Sequence, residues 1–243
     1  MEIIDNTSRV QLYYQLYDIL LNKIKSGDYK PNDLFPTENE LIEKYKVSRI
    51  TVRKAMDMLS QEGLISKKRG IGTFVKAQKI ENNLASIIDF NDNMKNKGYS
   101  HSTKVITNKI VECNNNISEA LSIPNNTKLI NIERLRLMQN EPICLESANL
   151  IYDRCPEVLN RDFNNESLRT FIKDNYKIIW KHAKQKITAI NADKRISNIL
   201  NIKKGDPILY IERVSYCTDN IPLEYLEAYY RADMYYFTVD LEY

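Results

Sequence analysis

Two arginines lie four residues apart in the segment SRITVR (residues 48–53), directly after a serine. Four residues make about one helical turn, so Arg49 and Arg53 would project from one face of a helix. Guanidinium groups presented in this way can bind phosphates or read the edges of bases. Residues 44–79 hold ten lysines and arginines against two acidic residues, a local net charge of +8. This charge is typical of a surface that binds a polyanion, although a solvated basic face would have the same composition.

The surrounding sequence predicts two helices joined by a tight turn. Thr37 and Glu40 form a capping box for a helix that runs to about Tyr45. Ser48 caps the next helix, which runs to about Gln61. At about 100° per residue, the apolar side of this helix lies opposite the arginines; it consists of Val52, Ala55, Met56 and Leu59. Arginines in the first turns of the second helix are typical of a helix-turn-helix, whose second helix enters the DNA major groove.

A helix before this pair and a hairpin after it complete the predicted domain. Apolar residues recur at helical spacing over residues 12–24, and Gly27 ends that helix. After Gly63, residues 64–67 and 73–76 alternate as two short strands around the turn RGIG (residues 69–72). Its glycines would let the backbone approach a groove closely, and Arg69 could enter the minor groove. We therefore interpret this hairpin as a wing.

With these pieces in order, residues 8–76 resemble the winged-helix domain of the GntR family of bacterial transcription regulators. The matching segments are LYYQLYDILLNKIKSGDYKPNDLFPTENEL, SRITVRKAMDMLSQEGLI and KKRGIGTFV. The resemblance implies that the two arginines contact bases or phosphates and that two threonines lie near phosphates. It also implies that the wing contacts the DNA. The implied DNA-binding residues are Thr37, Asn39, Arg49, Thr51, Arg53, Arg69 and Gly70. Many relatives have arginine at the position of Asn39, which could instead pair with adenine or a phosphate.

A second domain follows a short polar segment. Residues 77–83 (AQKIENN) show no periodic pattern and are predicted to link a domain over residues 1–76 to one over residues 84–243. LASIIDFNDNMKNK (84–97) predicts a helix. Beyond Gly98 the apolar pattern changes to period two, which predicts a mostly antiparallel sheet. The seven strand candidates are KVITNKIVEC, KLINIERLRLM, ICLESANLIY, QKITAI, ILYIERVSYC, LEYLEAYY and YYFTVDL.

This second region contains an internal repeat. LSIPNNTKLINIERLRL (121–137) resembles LNIKKGDPILYIERVSY (200–216) at an offset of 79 residues, with Arg134 matching Arg213. After the hairpin turn the offset becomes 80, which one inserted residue explains. Coincidence among alternating strands is the alternative, but the repeat predicts two related halves that pair into one sheet. A cleft between the halves would be a common place for a ligand.

Charged residues lie in phase with apolar ones on several of these strands. Arg134 and Arg136 share a strand face with isoleucines, and Glu146 and Glu224 share faces with alanines. Such groups should meet one another, as structural ion pairs, or meet an anion in a pocket.

Residues 84–240 resemble the UTRA effector-binding domain of the HutC-type GntR branch, which has a chorismate-lyase-like fold. The segments that carry this resemblance are IIDFNDNMKNKGY, IERLRL, EPICLESANL, NESLRTFI and PLEYLEAYYRADMYYF. It implies an α+β protein, with a winged helix-turn-helix followed by a mostly antiparallel α/β effector domain. The implied effector-binding residues are Arg134, Arg136, Glu146, Ser167, Glu224 and Tyr230. Arginines and a serine at a helix N-terminus suit a phosphate or carboxylate, and the glutamate suits sugar hydroxyls or an amine.

The sequence gives little support to other classes of protein. Four dispersed cysteines and two histidines form no metal-ligand spacing, and neither a catalytic constellation nor a cofactor motif is visible. No apolar run predicts a membrane span or a signal peptide, and the cysteines are expected to be reduced in a cytoplasm. We expect a homodimeric repressor that binds double-stranded operator DNA and a small effector: a sugar phosphate, an amino sugar or a small acid. The alternatives are a constitutive DNA-binding dimer and a lyase-type enzyme.

Overall fold

The structure, a computed structural model, describes residues 4–31, 33–68, 70–76 and 79–242, without the side chain of Asp219. The described chain divides into two compact units. The first holds residues up to Lys79 together with 98–100, and the second holds residues 80–97 and those from His101 onward. Within these described ranges, no helix has the length and apolar character needed to cross a membrane.

In its described residues, the first unit has three helices and a small antiparallel sheet, as the sequence predicts. Its elements are α1 (Leu12–Ser26), β1 (Leu34–Phe35), α2 (Glu38–Tyr45), α3 (Arg49–Gln61), β2 (Ile65–Lys68) and β3 (Gly72–Val75). Strand β3 lies between β1 and β2. Gly27 ends α1 in the left-handed conformation, and the capping box of Thr37 and Glu40 is present at α2. The core is built from fully buried side chains of all three helices, among them Leu16, Leu20, Leu41, Val52 and Leu59.

The second unit is built on one six-stranded antiparallel sheet. Its elements are β4 (Ile80–Asn83), α4 (Phe90–Asn96), β5 (His101–Glu112), α5 (Asn115–Leu121), β6 (Lys128–Met138), β7 (Glu141–Ile151), α6 (Leu168–Tyr176), β8 (Trp180–Asn191), α7 (Lys194–Leu200), β9 (Pro207–Cys217), β10 (Pro222–Arg231) and β11 (Tyr235–Thr238). The strand order is β5-β6-β7-β10-β9-β8, and β11 pairs separately with β4 in parallel. All seven predicted strands are therefore confirmed.

The predicted repeat is confirmed in the sheet. Each half contributes strand, helix, strand and strand, and β7 and β10 pair at the centre. Equivalent residues repeat the local geometry. Asn114 and Asp193 cap α5 and α7, and Ser122 and Asn201 end these helices at φ angles of 54° and 53°.

The two helices of the repeat cover one face of the sheet, each packing on the other half. Helix α5 belongs to a cluster with Tyr225 of β10, and α7 belongs to a cluster with Leu145 of β7. Because successive side chains of a strand point to opposite faces, Arg134 and Glu146 face away from these helices. The uncovered centre of that other face is where the candidate ligand cavity lies.

Two predictions for residues 77–97 are wrong in part. Ile80–Asn83, predicted as linker, forms β4 by pairing with Tyr235–Thr238, more than 150 residues along the chain. Because the partner strand is so distant in sequence, the local pattern of this four-residue polar segment does not predict the pairing. The helix predicted over residues 84–97 begins only at Phe90, because Asp89 caps it by accepting a hydrogen bond from the Asn91 backbone at 2.9 Å. Before Asp89 the chain forms turns, one closed by the Asn83 side chain accepting from the Ala85 backbone.

Candidate functional site

The exposed face of α3 carries the predicted DNA-reading residues. Ser48 caps this helix by accepting from the Thr51 backbone at 3.2 Å, and the two hydroxyl oxygens are 2.9 Å apart. Val52 and Leu59 are fully buried on the inner side, whereas Arg49 and Arg53 are exposed on the outer side. The inner side of the helix is therefore packed in the core, and the outer side of its first two turns is accessible to a DNA groove.

Residues at the start of α2 contact both arginines. The Asn39 Oδ1 accepts a hydrogen bond from the Arg49 Nη2 at 3.1 Å, and a Glu38 carboxylate oxygen accepts from the Arg53 Nε at 3.0 Å. Thr37 stands one residue earlier, where its hydroxyl and backbone are bonded to Glu40. The structure thus brings Thr37, Asn39, Arg49, Thr51 and Arg53 together on one exposed surface of the first unit.

The wing is described only in part. Arg69, the residue predicted to contact DNA, lies outside the described residues. Gly70 is exposed at the hairpin with a φ of +75°, and a Cβ built on it would meet no atom within 4 Å. Its left-handed backbone, rather than a lack of space, is the reason for glycine here. Lys67 and Lys68 of β2 are exposed and add positive charge to the hairpin.

The candidate effector cavity lies on the face of the large sheet opposite α5 and α7. Its cavity volume is about 60 Å³, and all non-atom space out to the solvent at its open mouth amounts to about 560 Å³. Five of the six predicted effector-binding residues line it, and both halves of the repeat contribute. These residues are Arg134, Arg136 and Glu146 from the first half and Glu224 and Tyr230 from the second.

Two arginines of the first half share one carboxylate. A single oxygen of Glu146 accepts from the Arg134 Nη2 at 3.0 Å and from the Nε and Nη2 of Arg136 at 3.1 and 2.7 Å. Burial opposes the ionisation of Glu146, but the charges of Arg136 and Arg134 outweigh it and lower its pKa to about 2. Burial and the neighbouring Arg136 lower the pKa of Arg134 to about 10. All three groups are therefore charged at neutral pH.

A matching cluster from the second half surrounds Glu224. Its carboxylate accepts hydrogen bonds from the Ser215 hydroxyl at 2.8 Å and from the Arg169 guanidinium, which also donates to Ser215. The Arg169 guanidinium lies 4.4 Å from the centre of the Trp180 ring. Burial tends to raise the pKa of Glu224, but Arg169 and Arg213 reverse that effect and lower it. Glu224 is therefore also a carboxylate whose charge is matched inside the cavity wall.

Arg169 and Arg213 line the cavity but were not among the predicted residues. For Arg213 the signal was available, because the repeat aligns it with Arg134. Arg169 comes from α6, which lies outside the repeat; it stands in the segment NESLRTFI, which carries the UTRA resemblance but did not single out this residue. Four arginines and three acidic residues (Asp89, Glu146 and Glu224) line the wall, which leaves one positive charge in excess. Among the described residues, the Nε atoms of Arg134 and Arg213 have no hydrogen-bond partner.

Ser167 is not in the cavity wall. Its hydroxyl caps α6 by accepting from the Thr170 backbone at 3.2 Å and donates to the Asp89 carboxylate at 2.7 Å. Asp89 does line the cavity, so the contact of Ser167 with that wall is indirect in this structure. The prediction that Ser167 lies at a helix N-terminus is confirmed. The direction of that helix decides which group the Ser167 hydroxyl contacts, and this group is Asp89.

Comparison with known proteins identifies both units. The family model for the UTRA domain matches residues 96–236, and the model for bacterial regulatory proteins of the gntR family matches residues 12–75. The HTH-type transcriptional repressor NagR of Bacillus subtilis (strain 168) is 31% identical over 234 residues, 96% of each chain. This chain belongs to the GntR family. It is a DNA-binding transcriptional regulator with an effector domain, not an enzyme, as the resemblance implied.

Other relatives support the same assignment. A probable fructoselysine utilization operon transcriptional repressor of Escherichia coli (strain K12) is 29% identical over 240 residues, covering 99% of this chain and 98% of its own. The crystal structure of PhnF from Mycobacterium smegmatis has a TM-score of 0.72 at 24% identity, covering 96% of this chain and 99% of that one. At that level of identity, the likeness to PhnF confirms the α+β fold alone.

Proposed function

We propose that this GntR-family regulator is a metabolite-responsive repressor. A small anionic, hydroxylated effector would weaken or retune its binding to the operator. The observation that carries the proposal is the cavity wall. Two arginine-bound carboxylates lie there beside two arginine nitrogens that have no hydrogen-bond partner among the described residues, and one positive charge is in excess. An incoming phosphate or carboxylate would offset this excess, and the carboxylates would accept from hydroxyl or amino groups. A sugar phosphate has both kinds of group.

The relatives support this class of effector. NagR, the probable fructoselysine repressor and a mannosyl-D-glycerate transport/metabolism system repressor of Escherichia coli are all named as repressors, the last two of sugar-derivative systems. We propose Arg134, Arg136, Glu146, Glu224 and Tyr230 as effector-binding residues, together with Arg169 and Arg213. Ser167 would act through Asp89.

On the DNA side, we propose that Arg49 and Arg53 read the major groove of an operator, with Thr37 and Thr51 near its phosphates. Arg69 and Gly70 would make the wing contact. A single winged helix covers one half-site, so a cytoplasmic homodimer on an inverted repeat is the arrangement that lets two such domains bind jointly. Sedimentation should give a dimer at micromolar concentration, and a monomer that stays monomeric on DNA would contradict this arrangement.

A thermal-shift panel tests the effector class. It would contain sugar phosphates, amino-sugar phosphates, their unphosphorylated parents and small organic acids. A true effector at 100 times its dissociation constant should stabilise the protein by about 2.7 kcal/mol. At one common concentration, the phosphorylated members should stabilise the protein more than their parents do, because only they supply the anion. Equal shifts for both would contradict the proposed role of the arginines.

Operator binding in the presence of each hit then tests the coupling. An effector that couples by about 1–3 kcal/mol changes operator affinity about 5- to 150-fold, and the operator must change effector affinity by the same factor. Arg134→Ala and Arg213→Gln should lose the response while keeping effector-free operator binding. Arg213→Gln is the safer variant, because the Arg213 Nε has no hydrogen-bond partner to lose among the described residues. Tight effector binding without any change in operator affinity would instead favour a constitutive DNA-binding dimer.

A further inference from the structure

The first turn of α2 holds both reading arginines of α3 in place. We propose that Glu38 and Asn39 are positioning residues, which fix the guanidinium groups of Arg53 and Arg49 for base recognition. This proposal rests on the proposed reading role of the two arginines. It assigns a function to two side chains of α2 and predicts which bases the arginines can meet.

The two contacts form a matched set. Glu38 and Asn39 are neighbours at the start of α2, and their partners lie one turn apart on α3. Glu40 is committed to the capping box with Thr37, so it keeps the first turn of α2 in place without competing for an arginine. Arg53 has an exposed side chain (61%), which in the absence of a partner would sample many rotamers. Holding it in one orientation lowers the entropy lost when it meets a base.

The Glu38 contact restricts how Arg53 can bind. A guanidinium has five N–H donors, and Glu38 occupies the one on Nε. Among the described residues, no acceptor is bonded to its two terminal nitrogens, and these can donate in parallel to a pair of acceptors. The O6 and N7 atoms of guanine form such a pair in the major groove. The geometry therefore favours guanine opposite Arg53.

The Asn39 contact restricts Asn39 itself. Pairing with adenine requires both the oxygen and the nitrogen of the amide, one to accept and the other to donate. In the structure, the amide oxygen already accepts from Arg49. To pair with adenine as well, this oxygen would have to accept from Arg49 and from the adenine amino group at once, through its two lone pairs. A guanine acceptor or a phosphate oxygen needs only the NH₂ group of Asn39, so these partners leave the contact with Arg49 undisturbed.

Glu38 also distinguishes positioning from simple charge. A carboxylate on a DNA-binding face repels phosphates, so a glutamate with only an electrostatic role would weaken binding to every sequence alike. Removing such a residue would tighten operator and unrelated DNA equally. A positioning residue has the opposite signature, because its loss lowers the preference for the operator.

The experiment measures the ratio of operator affinity to unrelated-duplex affinity for the full-length protein, by fluorescence anisotropy at two salt concentrations. Glu38→Ala should lower this ratio about five- to tenfold, within the discrimination that one bidentate base contact provides. Glu38→Gln should keep it, because the amide oxygen accepts the same bond from Arg53. Asn39→Ala should lower the ratio, and Asn39→Asp should keep it while weakening binding to both duplexes.

Arg53→Ala is the reference variant, and far-UV circular dichroism checks that every variant is folded. If Arg53→Ala leaves the ratio unchanged, the proposed reading role of Arg53 fails. If Arg53→Ala lowers the ratio but Glu38→Ala behaves like Glu38→Gln, only the positioning role of Glu38 is overturned. The variants Asn39→Ala and Asn39→Asp test the positioning of Arg49 independently. If they have the same ratio of operator to unrelated-duplex affinity, the positioning role of Asn39 is overturned.

Discussion

Both sites of this regulator are built on arginines, but in opposite environments. In the candidate effector cavity, Arg134 and Arg136 are 6% and 4% exposed and share the Glu146 carboxylate. On the proposed DNA-binding face, the side chain of Arg53 is 61% exposed and that of its partner Glu38 is 31% exposed. Buried charges must be neutralised within the protein, because water cannot solvate them. Exposed charges are solvated, so their partners orient them but add little stability.

The largest expected effect on stability concerns the buried carboxylate of Glu146, which Arg134 and Arg136 share. Glu146→Gln would leave two adjacent buried guanidinium groups without their shared negative charge. We expect the free energy of unfolding, measured by urea denaturation, to fall by about 3–5 kcal/mol. Glu38→Gln is the matched control and should change it by less than about 1 kcal/mol. Similar losses for the two variants would remove the contrast between the sites.

The pH dependence sharpens the same contrast. The pKa of Glu146 is about 2 in the folded protein, against an ordinary value of 4.5. A folded-state pKa below the unfolded one stabilises the protein above the unfolded pKa, and this contribution disappears as the pH falls through the folded value. It amounts to about 3 kcal/mol. The stability gap between the wild type and Glu146→Gln should be constant above pH ~5 and narrow towards pH ~3. A gap that stays constant to pH ~3 would contradict the shared-carboxylate account.

The exposed arginines should show the reverse behaviour. Arg49→Ala and Arg53→Ala should each weaken operator binding by about 1–3 kcal/mol, because each removes a contact to a base. The melting temperature should hardly change, since neither side chain packs in the core. Fluorescence anisotropy and thermal melting of the same samples measure both effects. Unchanged operator affinity in both folded variants would exclude α3 as the reading helix.

The smallest expected effect concerns Thr37, for which a structural role is visible and a phosphate contact is proposed. Thr37→Ala should lower the free energy of unfolding by about 1 kcal/mol through loss of the helix cap. Thr37→Ser keeps the hydroxyl and should restore both stability and operator affinity. If Thr37→Ala loses stability but binds the operator normally, the residue serves the cap alone.

Much of the architecture could be predicted from local patterns. The caps of α2 and α3 depend on residues three positions apart, such as Thr37 and Glu40, and the strands follow a period of two. The repeat also predicted a relation between distant residues, because it placed Arg134 and Arg213 in equivalent positions of two halves. Strand phase put Arg134 and Arg136 on one face of their strand and Glu146 on a face shared with Ala148, but it did not relate these two faces to each other. Each of these signals is short in range or repeats itself along the chain.

Other features depended on contacts between distant residues. Ile80–Asn83 is a strand only because residues 235–238 lie beside it, and Arg169 reaches the cavity only because α6 points towards Glu224. The same holds for the partners of the two arginines proposed to read DNA. Glu38 and Asn39 lie 15 and 10 residues from Arg53 and Arg49. The sequence alone determined which residues form helices, strands and charged faces, since those patterns are local. Which charged groups meet was decided by the tertiary structure, because a side-chain hydrogen bond depends on how whole elements pack.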